Sequence, residues 1–374
     1  MDHQFPVTQQ LIHLNHAAVG PWPKVTTDAV KAFAQENCDI GSLNYLSWME
    51  VEKNLRKNLA TLIHAESVDE IALVKNTSEG LSFVAYGLDW QQGDNIVGIK
   101  QEFPSNRFVW DSLKTNGVEF RKLDLEHIED PEQALMDLCD NNTKLISISA
   151  VQYASGFRMD LNRVGQFCRD KNILFCVDAI QQIGALDFNV KEIQADFVIA
   201  DGHKWMLSAE GLGVFYVRKA VQHRLKILQY GWHMAENMGD YNSQDFQIAE
   251  SARRFECGSP NMLGIHAMNA SVDLLLNTGM PVIEAKVLDN ISFLIEGLKK
   301  LNQLNILSNE SAHRASGIVT FNCSKLDSDA LYRLLMQQDI LCASRGGGVR
   351  FSPHFYTPKD QLTQALSIVE DLIK

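Results

Sequence analysis

The chain has 374 residues, a formal net charge of −12, and ordinary globular proportions, 45% hydrophobic and 21% charged. An acidic balance of this size argues against a nucleic-acid partner. The N-terminal MDHQFPVTQQ has neither a basic nor an apolar signal region, no apolar run approaches the ~18 residues that span a bilayer, and the seven cysteines form no CxxC pair, so a cytoplasmic protein with no membrane partner and no metal site is expected.

From residue 71, short β-rich runs alternate with helical patterns. IALVK (Ile71 to Lys75) precedes a helix over Ser78 to Tyr86, NIVGIK precedes NRFVWDSLKTNG, and KLISISA precedes LNRVGQFCRDKN. ILFCVD, DFVIAD and GVFYVRK follow. This order predicts an α/β fold with a mainly parallel sheet covered on both faces, whose ligands gather at the carboxyl ends of the strands. Past Gly258 the texture changes. Helices over Gly264 to Leu276 and Val282 to Leu301 lead to SGIVTFN, a helix over Ser328 to Gln338, ILCASRGGGVRFS, and a closing helix near Pro358 to Ile373. The expected division is a large domain of residues 16–257 and a smaller C-terminal α/β domain of residues 258–374, joined by residues 1–15.

The strand ends carry the chemistry. Thr77 and Ser78 open a helix, where they either cap it or help its free N–H groups hold an anion. Asp178 ends an apolar strand, where its carboxylate needs a cation or a proton. Lys204, in VIADGHKWML, either snorkels to water or serves as a neutral amine that forms an imine. With Phe103 as an aromatic slab, these groups could surround one planar phosphorylated cofactor. Pyridoxal phosphate (PLP) needs such a set: an amine, a carboxylate at the pyridine nitrogen, a stacking face and a phosphate cup. No GxGxxG or GxxxxGK[ST] follows any of the strands, which weakens a nucleotide-binding reading.

VDAIQ, followed 26 residues after its Asp by HKW, resembles the class V aminotransferase superfamily of fold-type I PLP enzymes, which includes cysteine desulfurases and isopenicillin N epimerase-like proteins. The similarity is collinear from HLNHAAVGP through NTSEGLSFVAYGL, EFPSN, VQYASGFRMDL and RRFECGSPN to RGGGVRFSPHFYT. The resemblance implies that Lys204 forms the imine and shuttles the α-proton, Asp178 pairs with the pyridine nitrogen, and Gln181 contacts the phenolic oxygen. Phe103 stacks on the ring, and Thr77, Ser78 and His203 bind phosphate. Ser259 reaches the phosphate of a neighbouring subunit in a homodimer with shared sites. Arg350 clamps the carboxylate of a small amino-acid substrate, Arg345 is a second anion contact, and Asn15 and His16 line the substrate side.

Departures narrow the reaction. Phe103 stands where desulfurases stack a histidine, Tyr153 where many carry asparagine, and Asp201 where a serine helps bind phosphate, so Asp201 is expected to turn away or pair with a cation. The segment CASRGGGVR leaves no room for the mobile loop that carries a desulfurase's nucleophilic cysteine. Cys342 and Cys257 therefore read as packing residues. Transamination or β-elimination of the C–S lyase type ranks first. Cysteine desulfurase or selenocysteine lyase activity, epimerisation, and non-catalytic PLP binding are the alternatives. Arg253 and Arg254 are expected to pair with Glu250 or Glu256, and residues 231–248 to form either a plain surface loop or a cover over the site.

Overall fold

A computed structural model describes residues 2–242 and 244–374. Met1, in the expected small domain, and Ser243, in the expected loop, lie outside the described residues.

The chain opens with a two-residue strand, β1 (Ile12–His13), and two helices, α1 (Lys24–Ile40) and α2 (Tyr45–Leu62), that the sequence reading passed over. In α1 Thr26 is the one buried residue, and Val25, Ala29, Val30 and Phe33 are only half-buried. The alternation follows: β2 (Ile71–Val74), α3 (Thr77–Gly87), β3 (Asn95–Ile99), α4 (Ser105–Asp111), β4 (Glu119–Leu123), α5 (Pro131–Asp137), β5 (Thr143–Ser149), α6 (Leu161–Lys171), β6 (Leu174–Asp178), α7 (Val190–Ile193), β7 (Phe197–Asp201) and β8 (Gly213–Val217). These strands form one sheet in the order β2-β8-β7-β6-β5-β3-β4, in which β8 runs antiparallel to both neighbours. Strands β2, β3, β6, β7 and β8 are buried along their whole length, which is why they read as continuous apolar runs. Strand β4 lies at the edge, buries only Leu123 and carries charge, so it gave no such signal.

The C-terminal part contains α8 (Met262–Thr278), α9 (Met280–Lys299), β9 (Leu304–Ile306), β10 (Val319–Cys323), α10 (Ser328–Gln337), β11 (Ile340–Leu341), β12 (Ala343–Arg345), β13 (Gly348–Phe351) and α11 (Lys359–Ile373). An antiparallel sheet in the order β12-β13-β10-β9 is backed by α9, α10 and α11. β1 pairs in parallel with β11 and brings Ile12 and Leu14 into this smaller core.

The two cores do not divide at residue 258. Helix α8 gives Ile265, Met268 and Val272 to the large core. Helix α9 buries Ile283 and Val287 there too, then Ile291, Leu294 and Leu298 in the small core. One continuous helix thus spans both bodies.

Gly20 marks where the N-terminal segment meets the strand-end lysine. Its N–H donates to the His203 carbonyl at 2.8 Å, and a Cβ there would stand 2.3 Å from the Lys204 carbonyl oxygen. Gly20→Ala must therefore displace the backbone that carries Lys204. It should lower unfolding free energy by about 1–3 kcal/mol in urea titrations, the usual cost of overpacking.

Candidate active site

The carboxyl ends of β2, β3, β5, β6 and β7 meet at a cavity of about 360 Å³ whose wall includes Thr77, Ser78, Phe103, Asp178, Gln181, His203, Lys204, Arg345 and Arg350. The large sheet brings Thr77, Ser78, Phe103, Asp178, Gln181, His203 and Lys204 together because each lies within a few residues of a strand's carboxyl end, while Arg345 and Arg350 reach the cavity from β12 and β13 of the smaller sheet. Lys204 is 9% exposed, and its Nζ stands 5.6 Å from the centroid of the Phe103 ring. Burial draws its ammonium down to about 8, against the opposing pull of Asp178. Asp178 is pushed up to about 6 by burial, with the Ile180 N–H donated at 3.2 Å and the charge of Lys204 holding it down. A partly neutral amine and a buried carboxyl therefore face one space.

The start of α3 is built for an anion. The Asn76 side chain caps it by accepting from the Glu79 N–H at 3.0 Å, which leaves the hydroxyls of Thr77 and Ser78 at the first turn for other use. Thr77 Oγ1 is buried with no protein partner, and Ser78 Oγ donates to Ser105 Oγ at 2.8 Å. Asp201 Oδ1 lies 3.0 Å from His203 Nδ1, an ion-pair distance without hydrogen-bond alignment. The acidic replacement thus lies against the His203 imidazole.

Arg350 is 2% exposed, on β13. Its Nη1 donates to the Tyr153 carbonyl at 2.6 Å, its Nε is buried without a partner, and burial lowers its guanidinium to about 10. Arg345 sits exposed at the rim, bound only to the Ser344 carbonyl at 2.7 Å. Among the described residues neither arginine forms an ion pair with a carboxylate. Gln181 is already engaged at both ends: Trp205 Nε1 donates to its Oε1 at 2.9 Å, and its Nε2 donates to the Ala17 carbonyl at 3.0 Å. One Nε2 hydrogen remains for a ligand. Phe103 is 43% exposed at the mouth, edge-on to Tyr153 with centroids 5.2 Å apart.

Several of the expected residues lie outside the cavity. Asn15 and His16 do not line the cavity; Ala17, Ala18 and Val19 do. His16 is fully buried, with Nδ1 2.8 Å from the Ser352 carbonyl and Nε2 2.6 Å from the Tyr356 hydroxyl. A carbonyl only accepts, so Nδ1 carries the proton and the ring is a neutral strut behind Trp205, 5.8 Å away between centroids. Ser259 lines a separate cavity of about 210 Å³ with Lys75, Glu79 and Cys257. No described residue of the 231–248 loop lines the site. His233 instead is buried between Glu52 and Glu256, 3.7 Å from each, and Arg253 donates to the His233 and Ala235 carbonyls rather than to a carboxylate. Glu52, His233 and Glu256 have metal-like spacing, but the Arg56 guanidinium already bridges both carboxylates. A larger cavity of about 700 Å³ lies away from Lys204, and its Arg158 and Arg314 are paired with Glu284 and Glu132.

Sequence reading missed Ser105, Glu210 and the Tyr153 carbonyl as parts of the site. It also missed Glu102, buried beside Phe103, whose signal was a lone acid between an apolar strand and an aromatic residue.

An unpartnered buried hydroxyl at a helix start, a buried amine and carboxyl facing one cavity, and a buried guanidinium without an acid fit a planar phosphorylated cofactor and an amino-acid carboxylate. The fold and site are those of a fold-type I PLP-dependent enzyme. The model of the class V aminotransferase family matches residues 12–361, and the chain belongs to that family. It is 28% identical to a probable cysteine desulfurase of Pyrococcus abyssi over 99% of this chain and 96% of that protein. It is 26% identical to one of Methanothermobacter thermautotrophicus, over 98% and 96%. A cysteine desulfurase structure from Thermococcus onnurineus superposes with a TM-score of 0.89 at 25% identity, covering 98% of this chain and 96% of that one. The cystine C–S lyase C-DES shares the fold, with a TM-score of 0.92 at 22% identity over 98% and 99%. Among the described residues no helix is long and apolar enough to cross a membrane.

Arg350 offers the sharpest test of how the site binds substrate. Arg350→Ala should raise the KM for an amino-acid substrate roughly 10- to 100-fold, the value of a charged hydrogen-bonded partner. Arg350→Lys should recover little of it, because an ammonium cannot make two parallel bonds. Steady-state kinetics of the three proteins checks both.

Proposed function

We propose that the Lys204 cavity catalyses β-elimination of a sulfur substituent from an amino acid of the cysteine class. The carrying observation is the make-up of the wall: an amine, a carboxyl and two arginines converge there, and none of the lining residues is a cysteine. Cys342 is 2% exposed, and burial pushes its thiol up to about 12. Cys257 belongs to the neighbouring cavity. Persulfide formation on the enzyme needs an accessible thiol that reaches the substrate, and neither cysteine lines the Lys204 cavity. The relatives named for removing sulfur from cysteine supply the substrate class, and the missing thiol turns the reading from desulfuration towards direct release of the sulfur.

PLP, when bound, supplies the electron sink for negative charge at the substrate α-carbon. This chain's residues do the rest. Thr77, Ser78 and His203, with the N–H groups of α3, hold the phosphate. Phe103 covers the ring face, Gln181 offers its remaining Nε2 hydrogen to the phenolic oxygen, and Asp178 keeps the ring nitrogen protonated. Arg350 holds the substrate carboxylate, and Arg345 at the rim receives a second anionic group. Lys204 Nζ removes the α-proton, and its lowered basicity suits it to work near neutral pH. The C–S bond then breaks with its electron pair on sulfur, which leaves as a thiol. Addition of one water to the remaining three-carbon fragment releases pyruvate and ammonium.

The active unit in this reading is a homodimer in the cytoplasm, with Ser259 of each subunit reaching the phosphate held by the other. Its place outside its own chain's Lys204 cavity supports this.

Incubation of the holoenzyme with cysteine and cystine tests the chemistry. Equimolar pyruvate and ammonium are expected, and Cys342→Ala and Cys257→Ala should retain most of the rate. Pyridoxamine phosphate accumulating without pyruvate would establish transamination instead. Loss of turnover in Cys342→Ala with PLP still bound would restore desulfuration.

A further inference from the structure

Glu102 follows β3, next in sequence to Phe103, and is 2% exposed. Its Oε1 accepts from the Ser149 N–H at 2.7 Å and from Gln152 Nε2 at 3.1 Å, and Ser149 Oγ lies against its Oε2. Those contacts link two turns that the site depends on. One carries Phe103 and Ser105, the latter bonded to Ser78. The other runs through Gln152 to Tyr153, whose carbonyl holds Arg350. Ser149 is also the register partner of Asp178 across β5 and β6. Two buried carboxyls thus flank one serine.

We propose that Glu102 is a positioning residue that locks the Phe103 turn to the Tyr153 turn, and that it gives up its proton less readily than Asp178, because ionising it sets a second negative charge facing Asp178 across Ser149. Among the described residues no lysine, arginine or histidine pairs with Glu102. The titratable groups that face it are Asp178 and Cys176, both on β6, and Lys204 faces Asp178 rather than Glu102. A second carboxylate in such a setting is unfavourable unless one of the two keeps its proton. Asp178 is the one opposite a cation, so the proton falls to Glu102. Burial, with Asp178 adding to it, pushes Glu102 up to about 7 against the Ser149 and Gln152 hydrogen bonds. The contact with Ser149 serves either state, because a hydroxyl rotates to donate to a carboxylate or to accept from a carboxylic acid.

The positioning role rests on the cavity being the cofactor site, whereas the proton does not, and the two are measured separately. In the cofactor-free protein, infrared spectra should contain a carboxylic C=O band that titrates away near pH 7 and is missing from Glu102→Gln. Because the folded pKa is raised, the stability Glu102 contributes is present below its ordinary value of about 4.5 and lost as pH rises through about 7. Glu102→Gln should remove that loss from the pH dependence of the melting temperature. Glutamine places an acceptor and a donor where the carboxylic acid has them, so Glu102→Gln should bind PLP within about threefold of wild type, less than the worth of one hydrogen bond. Glu102→Ala should weaken PLP roughly 10- to 100-fold. A carboxylic band unchanged in Glu102→Gln would overturn the protonation. A Gln variant that loses PLP as severely as the 100-fold limit would overturn it too, and needs no folded Ala variant for comparison. Unaltered PLP binding in a folded Glu102→Ala would overturn the positioning role.

Discussion

Everything in the site depends on keeping an amine and a carboxyl together in a dry place. Lys204 and Asp178 are both nearly buried, and an isolated buried charge is too costly for either to stand alone as a full ion. The sheet solves half of this by ending adjacent strands β6 and β7 where the two groups face each other. The other half comes from the seal behind Lys204. Trp205 is fully buried, its carbonyl accepts from His354 at 3.0 Å, and a Cβ on Gly317 would lie 2.4 Å from its ring. The C-terminal part of the chain thus excludes water from a lysine that belongs to the large sheet, and the helix α9 that runs through both cores fixes the one against the other.

The charges on the wall divide into those satisfied within the chain and those left for ligands. Asp201 and His203 face each other, Gln181 is tied to Trp205 and Ala17, and Glu102 is held by Ser149 and Gln152. Among the described residues, Arg350 and Arg345 have only carbonyl oxygens as hydrogen-bond partners. A buried guanidinium without an acid is unfavourable in the free protein, and a ligand carboxylate set against Arg350 would relieve that cost. Arg350 sits on a strand, so such a carboxylate would keep a constant relation to Lys204.

The fold was legible wherever burial left a continuous apolar run. Strands β2, β3, β5, β6, β7 and β8, and the helices after β2, β3 and β5, stood out because these central strands are covered on both faces. Helix α1, with its single buried residue, and the charged edge strand β4 carried no such contrast. The domain boundary was misplaced because α8 is as apolar as a small-domain helix would be, and only packing reveals that it belongs to the large core. At the cavity, Lys204 and Asp178 were legible because a charged residue ends an apolar strand, Thr77 because it opens a helix, and Arg350 only through the family resemblance. His16 was misjudged because a polar residue in a motif looks the same whether it faces a ligand or braces a tryptophan. Glu102 was overlooked because a lone acid after an apolar strand signals burial only weakly, and its hydrogen bonds to Ser149 and Gln152 join segments far apart in sequence.

The central claim is that Lys204, and no other lysine, is where the cofactor is attached. Borohydride reduction of the holoenzyme followed by peptide mapping tests it directly. The visible absorbance of the bound cofactor should disappear on reduction, and one phosphopyridoxyl-modified peptide should be recovered, carrying the modification at Lys204. Modification at a different lysine, or no modification in a protein that holds PLP at full occupancy, would contradict the account.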